Sequence, residues 1–219
     1  MTQKMPLFPL NTVLYPSAPL PLHIFEERYK LMISRCLEQQ APFGVVLIQE
    51  RDRPDTDPNV NFHQVGTSAQ IGEGVKLEDG RYYLVATGQR RFRVQYLTQR
   101  APYLIASVTY LPEDSCGVAP EAAEELRELY SRYWNALSAS TGYPRDSEHE
   151  APPASTVDLT YWMANRLQVD SPRKQRWLEA DIGTRLREMA AALRGELTLL
   201  PATDSGPNNR SWVGPGSWN

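Results

Sequence analysis

Cysteine, histidine and lysine are scarce in this sequence, and it contains no long apolar run. Its 219 residues include two cysteines, three histidines and four lysines. Cys36 and Cys116 lie too far apart for a CxxC pair, which argues against a disulfide framework and indicates reduced thiols in a cytoplasmic protein. No window approaches about 18 consecutive apolar residues. No basic head precedes an apolar run at the amino terminus. We therefore predict neither a membrane span nor a signal peptide.

The motifs of several enzyme and cofactor classes are also missing. The sequence has no GxxxxGK[ST] phosphate loop and no G-x-S-x-G nucleophile turn. The histidines His23, His63 and His149 form no HExxH zinc motif, and neither cysteine has a ligand at metal-site spacing. The G-x-G at residues 72–74 lacks the third glycine of a dinucleotide site, so a turn or bulge is expected. The acidic loop at 52–59 lacks the glycine and final glutamate of a calcium loop. We predict no catalytic residue, no metal, no cofactor and no bound nucleotide.

The charge distribution disfavours nucleic acid and supports a division of the chain. The formal net charge is −3 at pH 7, whereas a dedicated nucleic-acid binder usually carries a strongly basic face. Residues 1–112 carry 12 basic and 10 acidic side chains, and residues 113–219 carry 11 basic and 16 acidic side chains. The two parts of the chain thus differ in sign.

The first part of the chain has mostly strand patterns. Short apolar segments at residues 5–10 and 19–24 contain prolines, which suit edge strands or strand starts. Residues 26–39 change to a helical period, and the pattern of residues 42–50 indicates a buried strand. The helical face is formed by Tyr29, Met32, Ile33, Cys36 and Leu37. A polar, proline-broken loop is expected at residues 51–59.

Residues 64–111 have the pattern of an antiparallel meander. The Asp79-Gly80 pair between apolar runs predicts a two-residue type I′ hairpin. Further along, Phe92, Val94 and Tyr96 alternate with polar residues, so we expect these three side chains to face the core.

The second part of the chain has helical patterns and a polar tail. Helices are predicted at residues 120–139 and 155–168, from Ser171 onward, and after Asp181. Ser155 and Asp158 form a loose capping pattern for the second of these, and Asp181 is predicted to cap the last. The overall prediction is an α+β protein with a β-rich module at 1–112, a helical module at 120–199 packed on it, and a disordered tail at 201–219. Trp212 and Trp218 in that tail can dock on the protein itself or on a partner.

Two groups of side chains were considered as sites. His23 has Glu26 and Glu27 nearby in sequence, but a general base needs a partner that is shown to converge on it. We expect its imidazole to bind backbone at a strand-to-helix joint. Arg91 and Arg93 share a strand face and could hold phosphates or carboxylates, although such a face is more often solvated.

A long amino-terminal motif links the sequence to a known family. It reads PLFPL at residues 6–10, VLYP at 13–16 and LPLHIFEERY at 20–29. It continues with shorter matches further along, such as RFRV at 91–94 and PYL at 102–104. In these motifs, and in its helical end, the sequence resembles the Lon N-terminal domain family over about residues 5–198. That family is the substrate-binding domain of Lon-type ATP-dependent proteases.

The resemblance implies both a fold and a role. It implies an antiparallel β module of PUA-like barrel type with one helix, followed by a helical bundle, and a role in binding a polypeptide or a partner protein. Full Lon proteases add an AAA+ module and a Ser-Lys protease domain, and this sequence contains no phosphate loop. We therefore expect a stand-alone bacterial Lon-domain protein without those domains. The family supplies no catalytic residue to place here.

Three hypotheses follow for function. The leading one is a non-catalytic protein that binds a polypeptide or protein partner in a groove. The first alternative is an RNA-binding module of PUA-like type, for which Arg91 and Arg93 are the support in the sequence. The second is a small hydrolase with an unrecognised site.

Overall fold

The structure, a computed structural model, describes residues 2–49, 61–113, 119–141 and 151–199. These ranges contain six strands and five helices, which confirms the predicted α+β class. In chain order they are β1 (Gln3–Leu10), β2 (Pro19–Ile24), α1 (Glu27–Gln39), β3 (Phe43–Leu47), β4 (Val65–Lys76), β5 (Tyr82–Gln99), β6 (Leu104–Tyr110), α2 (Pro120–Thr141), α3 (Thr156–Arg166), α4 (Ser171–Glu179) and α5 (Ile182–Leu199). The predicted loop at 51–59, the predicted tail at 201–219, Cys116 and His149 lie outside the described residues.

Five strands close into a barrel, and the sixth extends it on one side. β1 pairs with β3 and β6, β3 pairs with β4, and both β4 and β6 pair with β5. One strand can join both neighbours because β5 has 18 residues, the first part beside β4 and the last part beside β6. β2 pairs only with Tyr82–Thr87 at the start of β5. We call residues 19–24, 82–87 and 70–76 together the three-stranded extension.

One strand pair departs from the predicted antiparallel module. β1 and β3 run parallel, with Phe8 opposite Val45, whereas the other strand pairs of the sheet are antiparallel. A parallel pair needs a long crossover connection, and β2 and α1 supply it. The antiparallel prediction was therefore wrong for this pair.

The proline-containing strands occupy two different positions. β2 is an edge strand, as its prolines predicted. β1 lies between two strands, so the edge interpretation was wrong there. Its register shows how it tolerates Pro6 and Pro9: Gln3–Leu7 pairs with β6, and Leu7–Leu10 pairs with β3. Each half of β1 thus pairs with a neighbouring strand on one side only. The nitrogens of Pro6 and Pro9 can face the unpaired side, where the sheet needs no N–H donor.

The turn predicted at Asp79-Gly80 is present, but its type differs. The Gly80 N–H donates to the Leu77 carbonyl at 2.9 Å, and the Leu77 N–H donates to the Arg81 carbonyl at 2.8 Å. Gly80 has φ of +82°, while Asp79 is not among the described residues with positive φ. This is a three-residue loop, in which a type I turn is followed by a left-handed glycine. The prediction of a two-residue type I′ turn was wrong.

A bulge in β5 reverses the expected alternation. Phe92 and Val94 are buried as predicted, but Tyr96 is 62% exposed. The register between β5 and β6 shifts between Val94 and Tyr96. An extra residue in one strand turns the following side chains to the other face. The core position predicted for Tyr96 was therefore wrong.

The helix that follows β2 packs as its period predicted, with one exception. Tyr29, Met32, Ile33 and Cys36 of α1 are buried, whereas Leu37 is 43% exposed at the margin of the apolar face. The helix ends at Gln40, whose left-handed backbone lets its N–H bind carbonyls of the last turn.

The starts of the later helices confirm the capping patterns. Ser155 Oγ accepts the Asp158 N–H at 3.3 Å, and Asp181 Oδ1 accepts the Thr184 N–H at 2.8 Å. Asp170, which precedes Ser171, caps α4 in the same way. These side chains satisfy N–H groups that a helix leaves unpaired at its start.

Two apolar clusters hold the described residues together. The smaller one fills the barrel around Phe92, which is fully buried. The larger one contains buried side chains from the strands, from α1 and from α2–α5, such as Phe43 and Trp177. Strands and helices therefore share one core. The module boundaries at 112 and 120 stay a prediction.

Candidate functional site

The outward face of the three-stranded extension carries exposed apolar side chains. Tyr83 and Val85 of β5 are 50% and 42% exposed, Val75 of β4 is 63% exposed, and Phe25 after β2 is 61% exposed. The strand register places His23 and Val75 on either side of Tyr83, and Pro21 beside Val85. We call this set the outer patch: Pro21, His23, Phe25, Val75, Tyr83 and Val85. Contiguous apolar groups of this kind mark interaction surfaces, whereas single exposed ones are ordinary.

The composition of β5 explains why both faces of the extension are apolar. Tyr82, Leu84 and Ala86 are buried and belong to the main core. Tyr83 and Val85 lie between them and point outward. An antiparallel strand with one wet face normally alternates apolar with polar residues. The uninterrupted run YYLVA was thus a signal for the outer patch that the sequence analysis missed.

His23 belongs to this surface and not to a proton-transfer site. Its imidazole stacks on Tyr83 with ring centroids 4.4 Å apart and an interplanar angle of 6°, and the Phe25 ring lies 5.6 Å away. The neighbouring carboxylates are engaged elsewhere, Glu26 with Arg28 at 2.7 Å and Glu27 with a lysine. Within the described part of the chain, the backbone hydrogen bond predicted for the imidazole is not found.

Two clefts adjoin His23. A groove of about 490 Å³ runs over the three-stranded extension and is lined by the outer patch except Phe25, together with Glu73. A second cleft of about 220 Å³ lies between β2 and the end of β1, where Leu22, Phe25 and Tyr29 form part of its wall. Apolar walls with few polar groups are typical of sites that bind side chains.

The free edge of β2 is closed to the addition of another strand. Pro19 and Pro21 have no N–H, so they cannot donate a hydrogen bond to β5. Alternate residues of a strand direct their N–H groups to opposite sides. The N–H groups of Leu20 and Leu22 therefore face β5. The nitrogens of the two prolines face the open edge, which is left short of donors. A partner on this side must be held by side chains.

Arg91 and Arg93 differ in burial, so the solvated face favoured for both residues is found only at Arg93. Arg91 is 5% exposed. It donates to Glu113 at 2.5 Å and to the carbonyls of Leu178 and Ala180 at 2.6 and 2.9 Å. Arg93 is exposed. Arg91 is thus bound to the end of α4 and is not available for the alternative role of holding a phosphate or carboxylate ligand.

A second buried arginine completes this joint between barrel and helices. Arg185 of α5 is fully buried and donates to the carbonyls of Trp177 and Ala180 at 2.9 and 3.0 Å. The Tyr161 hydroxyl donates to Glu113 at 2.5 Å, and burial raises the pKa of Tyr161, so the hydroxyl keeps its proton. Both arginines thus bind carbonyls at the carboxyl end of α4, where a helix favours positive charge.

The described residues assemble no recognisable catalytic or metal-binding group. No set of three His, Cys, Asp or Glu side chains in these ranges could hold a metal ion. Burial raises the pKa of the Cys36 thiol to about 11, so it is not a thiolate nucleophile at neutral pH. His63 lies 3.5 Å from Glu179 at the α4 surface, without a nucleophile beside it.

No helix in the described ranges is long and apolar enough to cross a membrane.

A further cleft has a different character. It encloses about 770 Å³ beside the bulged end of β5, with Gln49, Gln64 and Gln95 on its walls and Tyr96 at its rim. Its walls are mainly amide and hydroxyl groups, which water satisfies well. It therefore has less to gain from an apolar partner than the outer patch.

Comparison with protein families and curated proteins gives consistent matches. A family model described as the ATP-dependent protease La (LON) substrate-binding domain matches residues 4–194. Lon protease 2 of Myxococcus xanthus is 35% identical over 209 residues, which are 90% of this chain and 24% of that protein. The Lon protease of Escherichia coli (strain K12) is 27% identical over 210 residues, 90% of this chain and 25% of that protein. The chain thus spans about a quarter of the length of the curated relatives it matches.

Solved structures show the same fold. A Lon N-terminal domain protein from Xanthomonas campestris aligns with a TM-score of 0.64 at 24% identity, over 86% of this chain and 98% of that one. The N-terminal domain of Mycobacterium avium complex Lon protease aligns with a TM-score of 0.65 at 17% identity, over 88% and 98%. At these identities the likeness concerns the fold alone.

Proposed function

The chain belongs to the ATP-dependent protease La (LON) substrate-binding domain family, and from that membership we propose that it binds polypeptide segments without catalysing a reaction on them. The observation that carries the proposal is the outer patch, with Tyr83, Val85, Val75 and Phe25 between 42% and 63% exposed. Exposing a contiguous set of apolar side chains to water is unfavourable. A partner that covers them removes apolar surface from water, and this stabilises the complex.

The size of the patch is consistent with a weak, selective interaction. Full burial of one large apolar side chain contributes about 1.5–3 kcal/mol. These side chains are already about half buried, so covering two or three of them contributes about 2–4 kcal/mol before the cost of ordering the segment. Dissociation constants on the order of millimolar are therefore expected for a short segment. Because the β2 edge lacks donors, specificity comes from side chains in the groove and not from strand pairing.

The same proposal includes finer features of the fold and location. The closed barrel is of PUA-like type, and α2–α5 form a bundle on it, which the packing of α5 against both α2 and α3 supports. The cytoplasmic location rests on the cysteine usage of the sequence. The chain acts as a recognition module, and its partner is an unfolded or extended polypeptide.

Two tyrosines provide a matched test of the binding surface. Tyr83 is 50% exposed in the outer patch, and Tyr96 is 62% exposed beside the polar cleft. Fluorescence anisotropy with a labelled, disordered 15-residue peptide rich in Phe and Leu measures binding. Tyr83→Ser should weaken it about five-fold or more, because the aromatic anchor is lost. Tyr96→Ser should leave it within about two-fold.

The outcomes separate the hypotheses. Equal losses for the two variants, or no saturable binding by the native protein, would contradict the proposed function. Salt-sensitive binding of an RNA oligonucleotide that depends on Tyr96 and Arg93 would favour the RNA alternative. Ester or peptide hydrolysis that survives repurification would favour the hydrolase.

A further inference from the structure

The groove over the three-stranded extension contains one carboxylate whose role the apolar surface does not explain. We propose that Glu73 makes this groove select apolar polypeptide segments flanked by lysine or arginine. This inference rests on the proposed function, since it concerns which segment the outer patch accepts. Glu73 is thus a specificity-determining residue, while Tyr83 and Val85 supply most of the affinity.

The backbone of β4 places Glu73 in the groove. The pairing of β4 with β5 shifts register between Ile71 and Gly74, so Glu73 lies inside a β-bulge. A bulge re-aims the side chains within it. Glu73 is exposed, and it lines the same groove as Val75, Tyr83 and Val85. A Cβ at Gly74 would lie 2.9 Å from the Leu84 Cβ, so glycine there lets the bulge lie close to β5.

Within the described residues, Glu73 has no ion pair or hydrogen bond. Basic side chains of α1, of β4 and of the turn between β4 and β5 have other contacts. Arg28 pairs with Glu26, Arg81 pairs with an aspartate in its own turn, and the Lys76 ammonium lies 5.5 Å from the centre of the Tyr82 ring. The groove therefore presents a negative charge beside its apolar surface, and the complementary ligand charge is positive.

An ion pair between Glu73 and a basic residue of the segment should affect which segments bind more than how tightly they bind. An ion pair at an exposed rim contributes modestly and weakens with salt. It discriminates because an acidic flank would be repelled where a basic flank is attracted. At low ionic strength we expect about three- to ten-fold preference for a lysine-flanked over a glutamate-flanked segment.

Three labelled peptides test the inference. They share one Phe- and Leu-containing core and carry paired lysine, glutamine or glutamate flanks. In anisotropy titrations, the native chain should bind the lysine-flanked peptide most tightly, the glutamine-flanked peptide less tightly and the glutamate-flanked peptide least tightly. Glu73→Gln should remove the ranking, and Glu73→Lys should reverse it, with little change for the glutamine-flanked peptide. Glu78→Gln, in the adjacent turn and outside the groove lining, serves as the matched control and should keep the native ranking.

Salt and the neutral peptide separate the possible failures. Raising the salt concentration from about 50 to 300 mM should reduce the differences in affinity between the peptides, while the affinity of the glutamine-flanked peptide stays the same. Binding of all three peptides with equal affinity, or a ranking unchanged in Glu73→Lys, would overturn the role of Glu73 and leave the proposed function standing. No binding of any peptide would overturn both.

Discussion

At the scale of single residues, Gly66 shows how closely the barrel is packed. A Cβ added there would lie 2.2 Å from the Val45 carbonyl oxygen and 2.9 Å from the Phe92 ring. Both neighbours are in the interior, and a carbonyl cannot rotate away. Gly195 in α5 is the opposite case, since a Cβ there would meet nothing within 4 Å.

These two glycines make a matched pair for a stability measurement. Gly66→Ala should lower the free energy of unfolding by about 1–3 kcal/mol or more, because overpacking moves the backbone of two strands. Gly195→Ala should raise it by about 0.5–1 kcal/mol, because alanine favours the helix. Urea denaturation followed by circular dichroism measures both. A neutral Gly66→Ala would show that the barrel relaxes more easily than this packing implies.

Tyr83 and Tyr96 show that one residue type can lie in two different surroundings. Both are exposed tyrosines of β5. Tyr83 stacks on His23 within an apolar surface, whereas Tyr96 stands beside amide side chains. Only the first can bury a contiguous apolar area when a partner binds.

At the scale of elements, the start of α5 carries a pH-dependent contribution. The Thr184 N–H and hydroxyl both donate to the Asp181 carboxylate at 2.8 Å. The hydrogen bond from the Thr184 N–H is the main cause that lowers the pKa of Asp181. Because the folded pKa is below the unfolded one, the ionised cap stabilises the fold above the unfolded pKa. That stabilisation is lost as the pH falls through the folded pKa.

Two substitutions separate the charge of this cap from its hydrogen bond. Asp181→Ala should cost about 1 kcal/mol at pH 7, and the difference from the native chain should shrink below about pH 4. Asp181→Asn keeps an acceptor without a titrating proton, so most of the stability should remain at pH 7. Thermal unfolding between pH 3 and 7 measures the difference in stability between the native chain and each variant. A constant native-minus-alanine difference across that range would contradict the assignment.

At the scale of the whole molecule, Arg91 joins the barrel to the helices. Its guanidinium reaches from β5 to Glu113 and to the carbonyls of Leu178 and Ala180 at the end of α4. Arg185 binds the same end of α4 from α5. Strands and helices are therefore tied by buried polar contacts as well as by a shared apolar core.

The neighbouring arginine of β5 supplies the control for this joint. Arg91→Met should destabilise the protein by about 2–4 kcal/mol, because it removes the buried hydrogen bond to the Leu178 carbonyl and the ion pair with Glu113. Arg93→Met, at an exposed position, should change stability by no more than about 0.5 kcal/mol. Denaturation followed by the fluorescence of tryptophans such as Trp177 measures both. Equal, small effects would show that the apolar core alone holds the helices.

Much of the fold was predictable because its signals are local. The helical period of α1 and the caps Ser155 and Asp181 involve residues a few positions apart, and the structure places them as expected. The Tyr96 prediction was wrong because a bulge depends on the partner strand. The edge position predicted for β1 was wrong because β3 and β6 come from distant parts of the chain.

The sequence by itself determined the element types, most of their boundaries and, through its amino-terminal motif, the family. These depend on periodicity, capping and residue identity over short distances. Only the tertiary structure decided that Arg91 is buried against α4, that Tyr83 and Val85 stand exposed beside His23, and that a bulge turns Glu73 toward them. These features depend on register between segments far apart in the chain, where a shift of one residue exchanges the inner and outer faces of a strand.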